Sequence, residues 1–499
     1  MYMSRDIMHC KPVKAKEMGV PMGSHHRLIL LFLLAAAGSP LLAQTKAEKI
    51  DSLIQKYTDY GQFNGSVLVS ERGSVILKKG YGFANFEWDI PNTPDTKFRI
   101  GSMTKQFTAM LIMQQVEKGK IGLDDPVVRY LPEYPKPQGE KVTVRHLLNH
   151  TSGTPNYTSF PGFNADRSRY RLDKLVATFS SKPLEFEPGK EWKYSNSGYV
   201  LLGAILEKAT GTPYEKLLEE NILRPLGMNN SGYDHFESVL KKRAAGYEKQ
   251  GLFFNAGFID MSVPFSAGAM YSTVEDLALW DRALYTDRLL SEKGKAEYFK
   301  PVLHNYAFGW SVLFLRIGES ADSVLAITHG GGINGFSSLI VRIPSREQCL
   351  VLLNNAGRAD LDEMARGIRG ILWDAPYAGP RHSLADQLAA LIKEKGLAGA
   401  LVTYKDLKER KAEYFLREGE MNQLGYALLQ GGKVREATEV FRLNVDAFPG
   451  SWNAYDSLGE AYMTDGQTAL AIKNYERSIE LNPENAGGLE ALKKLRGKK

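Results

Sequence analysis

Two groups of strand-like runs lie far apart in this chain, and their separation is what most restricts its fold. The first, "GSVLVSERGSVILKKGYGFA", has aliphatic, β-branched runs over 65–70 and 74–79 around a Glu-Arg-Gly turn, which predicts a hairpin. The second comprises "SVLAITH", "FSSLIVRIP" and "CLVLLNN", joined by a glycine loop and by a turn around Pro344 and Ser345. Connections this short make an antiparallel meander and leave no room for crossover helices. Between the two groups the pattern is helical, as in "SMTKQFTAMLIMQQVEKG", "YVLLGAILEKATG" and "TVEDLALWDRALY". The expectation is an α/β (α+β) fold: an antiparallel five-stranded sheet flanked by helices, with a large helical insertion. The first of those helices is apolar almost all round, which predicts burial on every side, and Gly119 stands where a left-handed cap would end it.

With 499 residues, 43% of them hydrophobic, the chain has apolar mass for two to four domains. Five of its 63 basic and two of its 57 acidic residues fall in the first 43 positions, leaving 58 against 55 in the remainder. That near balance argues against a nucleic-acid surface or an anionic-membrane surface. In "HHRLILLFLLAAAGSPLLAQ", Arg27 precedes the apolar run Leu28 to Ala37, followed by Gly38, Ser39 and the small residue Ala43. This is the layout of a secretory signal peptide, with translation starting at Met18 or Met22, and it predicts a periplasmic or extracellular protein with no stable membrane span after cleavage. Cys10 lies upstream of the signal, so the mature chain keeps Cys349 alone and has no intrachain disulfide.

The expected domains are an N-terminal extension and signal peptide (1–43), a principal domain (47–375), a Pro/Gly-bearing linker (376–383) and a helical region (384–499). The last shows a 34-residue self-match: Leu424/Leu458, Gly425/Gly459, Ala437/Ala471, Phe441/Tyr475 and Pro449/Pro483. Small residues let paired helices approach, aromatics fill the groove and proline ends each unit. These residues resemble tetratricopeptide repeats. "GLAGALVTY", with Ala400 and Tyr404, looks like the second helix of an earlier copy, and "GLEALKKLRGKK" like a capping helix. Two readings stay open for the array: a groove for a protein partner, or a structural cap on the enzyme.

A hydrolytic serine needs a base to take its proton. Ser102 and Lys105 in "GSMTK" stand three apart at a helix start, hence on one face. The helix amino terminus favours an alkoxide there, and burial would lower the lysine pKa towards that of a usable base. Ser238 and Lys241 repeat the spacing, but in a polar stretch that reads as surface. "KYSNSGYVLLG" holds Tyr194 and Asn196, the one Tyr-x-Asn among 24 tyrosines. A tyrosine near lysines can be partly phenolate and shuttle a proton, and an asparagine amide can orient a carbonyl. "HGG" at His329, Gly330 and Gly331 lies between two strands, where bare backbone can point an N–H at an oxyanion together with the N–H of Ser102.

In this order the three motifs resemble the serine β-lactamase and penicillin-binding-protein superfamily, and most nearly its class C β-lactamase-like, peptidase S12 branch. "LLNHTSG", "FSAGAMYSTVEDLALW" and "FGWSV" add to the likeness, which covers roughly 47 to 375. The resemblance implies that Ser102 is the acylated nucleophile, Lys105 its activating partner and Tyr194 the general base and acid. Asn196, His329, Gly331 and Gly332 would bind substrate, with the Gly332 N–H as second oxyanion donor. It implies an exported serine hydrolase of the esterase, D-Ala-D-Ala carboxypeptidase or D-aminopeptidase type, acting on a small-molecule or peptide acyl substrate without cofactor or metal. The alternatives are a β-lactamase and a catalytically idle scaffold. Where the β-lactamases carry Lys-Thr-Gly this chain has His-Gly-Gly, losing a permanent cation, so carboxylate recognition should be weaker or pH-dependent.

Other patterns read as structural. Gly330, Gly332 and Gly335 match G-x-G-x-x-G, but a strand follows them where a dinucleotide site needs a helix. His146 and His150 lack the glutamate and third ligand of a zinc site and read as helix-end and loop hydrogen bonding. No serine has glycine at both −2 and +2, which excludes the usual α/β-hydrolase. Tyr81, Phe83, Phe86 and Trp88 read as a core cluster.

Overall fold

A computed structural model describes residues 44–497 apart from 164–166, 251 and 358. The expected signal peptide, with Met18, Met22 and Cys10, lies outside the described residues. Six strands form the main sheet: β1 (Gly65–Glu71), β2 (Ser74–Tyr81), β3 (Ser311–Arg316), β4 (Ser323–Ile333), β5 (Phe336–Ile343) and β6 (Gln348–Asn354). Their order is β3-β4-β5-β6-β1-β2, antiparallel at every junction. Hairpin and meander therefore meet edge to edge, with Gly65 opposite Asn354 and Glu71 opposite Gln348. The sheet has one strand more than the five expected. The addition, β3, is a short edge strand with no fully buried residue and with Phe314 69% exposed, so it lacks the continuous burial that marks β5 and β6.

The helices that matter to the sheet are α1 (Lys46–Asp59), α2 (Thr104–Glu117), α3 (Asn196–Thr210), α4 (Val274–Ala283) and α5 (Leu361–Leu372). Val67, Val69, Leu339, Val341, Leu350 and Leu352 join a cluster with α1 and α5. Their neighbours Leu68, Ile340, Cys349, Val351 and Leu353 join the other cluster, with the insertion helices. Because both faces are covered, the central strands read as unbroken apolar runs, where a half-solvated sheet would alternate. Helix α2 is the axis of the insertion, with every residue from Thr104 to Gln115 buried, and Gly119 follows it at φ +68°. The aromatic residues before it do not form one core. Tyr81 is buried, Trp88 is 79% exposed, and Phe86 packs on Tyr247 and Phe253.

Sheet and insertion are tied by a buried ion pair. Arg342 of β5 donates from Nε to Asp281 Oδ1 of α4 at 2.6 Å, both side chains at most 3% exposed, with Tyr285, Phe299 and Trp310 around the guanidinium.

Beyond the sheet follow α6 (Leu384–Glu409), α7 (Glu418–Gln430), α8 (Val434–Ala447), α9 (Trp452–Thr464), α10 (Thr468–Leu481) and α11 (Ala486–Arg496). Gly396, at φ +67° and ψ 174°, splits α6 into two arms, and Ala400 and Tyr404 are buried in the second. The 34-residue match has a steric basis. A Cβ on Gly425 would lie 2.4 Å from the Phe441 ring, and one on Gly459 would lie 3.2 Å from the Tyr475 ring. The array is docked on the sheet domain: Asp386 pairs with Lys249 at 2.5 Å, Arg417 pairs with Asp360 at 2.6 Å, and His382 stacks on Tyr60.

Replacing Asp281 with alanine strands the Arg342 charge in the core, and is expected to cost about 3–5 kcal/mol. Urea unfolding of the full chain measures this, and an unchanged midpoint would show that the pair does not hold sheet and insertion together.

Candidate active site

The candidate nucleophile, Ser102, sits on a bend that the backbone dictates. Gly101 takes φ +51°, Gly101–Met103 forms one turn of 3-10 helix, and α2 begins at Thr104. Ser102 is thereby held at the amino end of a buried helix, where the helix dipole favours negative charge on its oxygen. One turn later Lys105 is wholly buried, with its Nζ 3.1 Å from Ser102 Oγ, 2.8 Å from Asn196 Oδ1 and 2.8 Å from the Ala267 carbonyl. Asn196 presents oxygen to the lysine because its Nδ2 donates to Thr158 Oγ1 at 3.1 Å, while its backbone N–H donates to Asn156 Oδ1.

These partners fit an uncharged amine. A neutral –NH₂ has two donors and one lone pair. Asn196 Oδ1 and the Ala267 carbonyl are pure acceptors and take two N–H groups in either protonation state; towards Ser102 Oγ an ammonium donates its third N–H, whereas a neutral amine offers its lone pair to the hydroxyl. Burial pushes the Lys105 pKa well below its usual range. The rings of Tyr194 and Tyr199, 4.8 and 5.5 Å from Nζ, favour the cation by about 0.5–2 kcal/mol. Taking an ammonium out of water costs several kcal/mol, so burial prevails.

Tyr194 faces the same serine. Its hydroxyl is buried and completes no hydrogen bond among the described residues. Burial pushes the phenol well above its usual range, against the lowering influence of the Ser102 side chain. It is thus a neutral phenol, and the phenolate share allowed by the sequence reading does not arise.

His150 grips the segment that carries this tyrosine. Its carbonyl accepts the Lys193 N–H at 3.0 Å, its Nδ1 accepts the Ser195 N–H at 3.3 Å, and its ring lies 4.3 Å from that of Tyr194. The residue takes φ +61°, a strained conformation for a non-glycine. Its sequence neighbour in the rejected zinc pair, His146, instead accepts the Thr143 N–H in a capping box. The sequence reading assigned His150 no site role. The signal available was its place in "LLNHTSG", but nothing local says which ring a loop histidine will meet.

The third wall comes from the edge of β4. Strand β3 pairs with β4 only as far as Thr328, opposite Ser311, so residues 329–333 keep one free edge. That edge lies against the nucleophile bend. A Cβ on Gly101 would sit 2.9 Å from the Gly332 nitrogen and 3.0 Å from its oxygen, so the Gly332 backbone lies directly against the bend that carries Ser102. A Cβ on Gly331 would lie 2.0 Å from the Ile100 carbonyl, which Ser338 Oγ also reaches at 2.8 Å. His329 is buried, its Nδ1 donating to the Gly330 carbonyl at 2.6 Å and its Nε2 accepting from the Tyr306 hydroxyl at 2.8 Å. Burial, the main cause, pushes it down to about 4, so it carries no charge at neutral pH.

The structure thus brings Ser102, Lys105, Tyr194, Asn196, His329, Gly331 and Gly332 together, and leaves Ser238 and Lys241 exposed at the surface. Tyr306, the partner of His329, was not foreseen; it lies just before "FGWSV", with no motif of its own.

The glycines give a contrast. Gly331→Ala would drive β4 off the bend, and is expected to slow labelling of Ser102 by a fluorophosphonate about 100-fold. Gly330→Ala, whose Cβ would meet only the Ser338 carbonyl at 3.5 Å, should label at the wild-type rate; equal effects from the two would refute the close approach. His150→Phe keeps a ring beside Tyr194 but removes the acceptor for Ser195. It is expected to slow labelling about 10–100-fold without loss of the thermal transition, and an unchanged rate would count against the grip.

Comparison with known proteins agrees with this geometry. The Beta-lactamase family model matches residues 50–372, and a Tetratricopeptide repeat model matches 453–485. Penicillin-binding protein 4* of Bacillus subtilis (strain 168) is 31% identical over 365 residues, which cover 68% of this chain and 79% of the relative. Among solved structures, the penicillin binding protein from Bacillus halodurans is 30% identical with a TM-score of 0.55, over 63% of this chain and 98% of that one. The D-amino acid amidase from Ochrobactrum anthropi SV3 is 27% identical with a TM-score of 0.58, over 66% and 99%. With a family match over most of its length and the nucleophile, lysine and glycine strand gathered in one cleft, the chain belongs to the beta-lactamase family and carries a tetratricopeptide repeat near its C-terminal end.

Proposed function

We propose that this chain is an exported serine hydrolase that cleaves ester or amide bonds of acyl substrates, D-amino-acid derivatives among them, through an acyl-enzyme on Ser102. The observation that carries the reading is the Lys105 amine, 3.1 Å from Ser102 Oγ with its other two hydrogen-bonding directions spent on pure acceptors. Lys105 takes the hydroxyl proton as Oγ attacks the carbonyl carbon, and the oxyanion is met by the N–H groups of Ser102 and Gly332. As the tetrahedral adduct collapses, a proton passes to the leaving oxygen or nitrogen through the Tyr194 hydroxyl, next to both groups. Water then attacks the acyl-enzyme, giving its proton back along the same route and releasing the acid.

Neutral His329 favours this over β-lactamase action, since it offers no cation to a β-lactam carboxylate. The likeness to a D-amino acid amidase supports the amide and D-amino-acid part of the reading. The idle-scaffold alternative is disfavoured by a nucleophile, base and oxyanion strand in register. Export is supported by the Arg27-led apolar segment, and the docked repeats suit a protein partner.

The test uses full chain and Ser102→Ala with a fluorophosphonate, a chromogenic ester, a D-Ala-D-Ala peptide and a cephalosporin. One adduct per chain on wild type, none on the variant, and ester or peptide turnover are expected; no adduct and no turnover would overturn the enzyme reading. Rapid cephalosporin turnover would install the β-lactamase instead. The pH profile follows from the two shifts. Lys105 acts only when unprotonated, and burial lowers its pKa, so the limb on which activity falls with falling pH lies well below the 10.5 of an ordinary lysine. His329 titrates at about 4, not at its usual 6.5, so it adds no step near 6.5.

A further inference from the structure

Beside the Ser102 cleft is a cavity of about 270 Å³ whose walls include Tyr157, Phe160, Phe163, Phe258, Ile259 and Val263, with no charged side chain lining it among the described residues. Three observations join it to the site. Tyr157 lies between Asn156 and Thr158, the two residues that hydrogen-bond Asn196. The Tyr157 backbone N–H donates to Ser197 Oγ, one residue past Asn196, at 3.0 Å. Asn334, which also lines the cavity, lies two residues past Gly332 on the same hairpin, its Nδ2 donating to the Gly257 carbonyl at 2.9 Å.

We infer that this cavity is a substrate subsite for a bulky apolar or aromatic group, a reading that rests on the hydrolase proposed above. A carbonyl at Ser102 with its oxygen on the Gly332 N–H directs its two substituents along β4, one towards His329 and the other towards Asn334. The His329 end is uncharged, and the Asn334 end opens on the aromatic walls. An apolar cavity of about 150 Å³ already takes up benzene, so this one has room for a phenyl ring and its linking carbons. Tyr157 is a fixed part of the wall, since its hydroxyl donates to the Val263 carbonyl at 2.6 Å and its ring packs edge-on against Phe163. The substrate selected is therefore uncharged at one end and apolar at the other.

The test compares kcat/KM for two ester series on the full chain: p-nitrophenyl esters of acetic and phenylacetic acid, and methyl and benzyl esters of one constant acid. The phenyl-bearing member is expected to lead by about tenfold or more in at least one series. Ile259→Trp, which fills the cavity from a half-buried position, should bring that ratio down towards one. Equal turnover of both members in both series, or a ratio that Ile259→Trp leaves unaltered, would overturn the subsite. Binding is measured apart from turnover by titrating benzyl alcohol into the Ser102→Ala chain, with and without Ile259→Trp. Binding that the tryptophan abolishes supports the subsite even where no ester is cleaved, an outcome that would count against the hydrolase alone. Absence of binding to Ser102→Ala, or binding indifferent to the tryptophan, counts against the subsite.

Discussion

The burial of one amine beside one hydroxyl is the constraint that organises this molecule. Lys105 can serve Ser102 only if it is uncharged, and it stays uncharged only where water is excluded and its two N–H groups are answered. Helix α2 is therefore buried all round, Asn196 is turned oxygen-first by Thr158, and the Phe265–Gly268 turn delivers the Ala267 carbonyl from 162 residues further along the chain. A lysine in water would be an ammonium with no lone pair, and the same Ser-x-x-Lys at Ser238 and Lys241 is on the surface for that reason.

A second constraint is the free edge of β4. Its partner β3 stops at Thr328, and the exposed stretch that follows is built of glycine so that the nucleophile bend can lie against bare backbone. The departure from Lys-Thr-Gly takes on meaning here. Enclosed by Tyr306, His329 shapes the wall without contributing charge. The pH-dependent carboxylate contact that a solvated histidine would provide is displaced far towards acid.

Much of this was legible in the residues. Sheet and insertion followed from the spacing of apolar runs, because strands covered on both faces must be apolar throughout, and the repeats followed from Gly425 and Gly459, which stand where an aromatic ring leaves no room for a side chain. The less legible parts share a cause. Strand β3 escaped because it is short and none of its residues is fully buried, and His150 because its role depends on Tyr194, 44 residues away, settling onto its ring.

By itself the sequence determined which atoms were on offer: two serines with a lysine three residues on, one of them opening an apolar helix, one Tyr-x-Asn, and a glycine strand headed by histidine. These are covalent facts, and the chemistry of acyl transfer limits what such a set can do. Tertiary structure alone decided the burial that lowers the Lys105 and His329 pKa values and raises that of Tyr194, the approach of Gly332 to the bend at Gly101, and the apolar cavity lined by Tyr157. Each depends on burial and on partners brought in from distant parts of the chain, and the free energy of a charge is set by what surrounds it in space rather than by its neighbours in sequence.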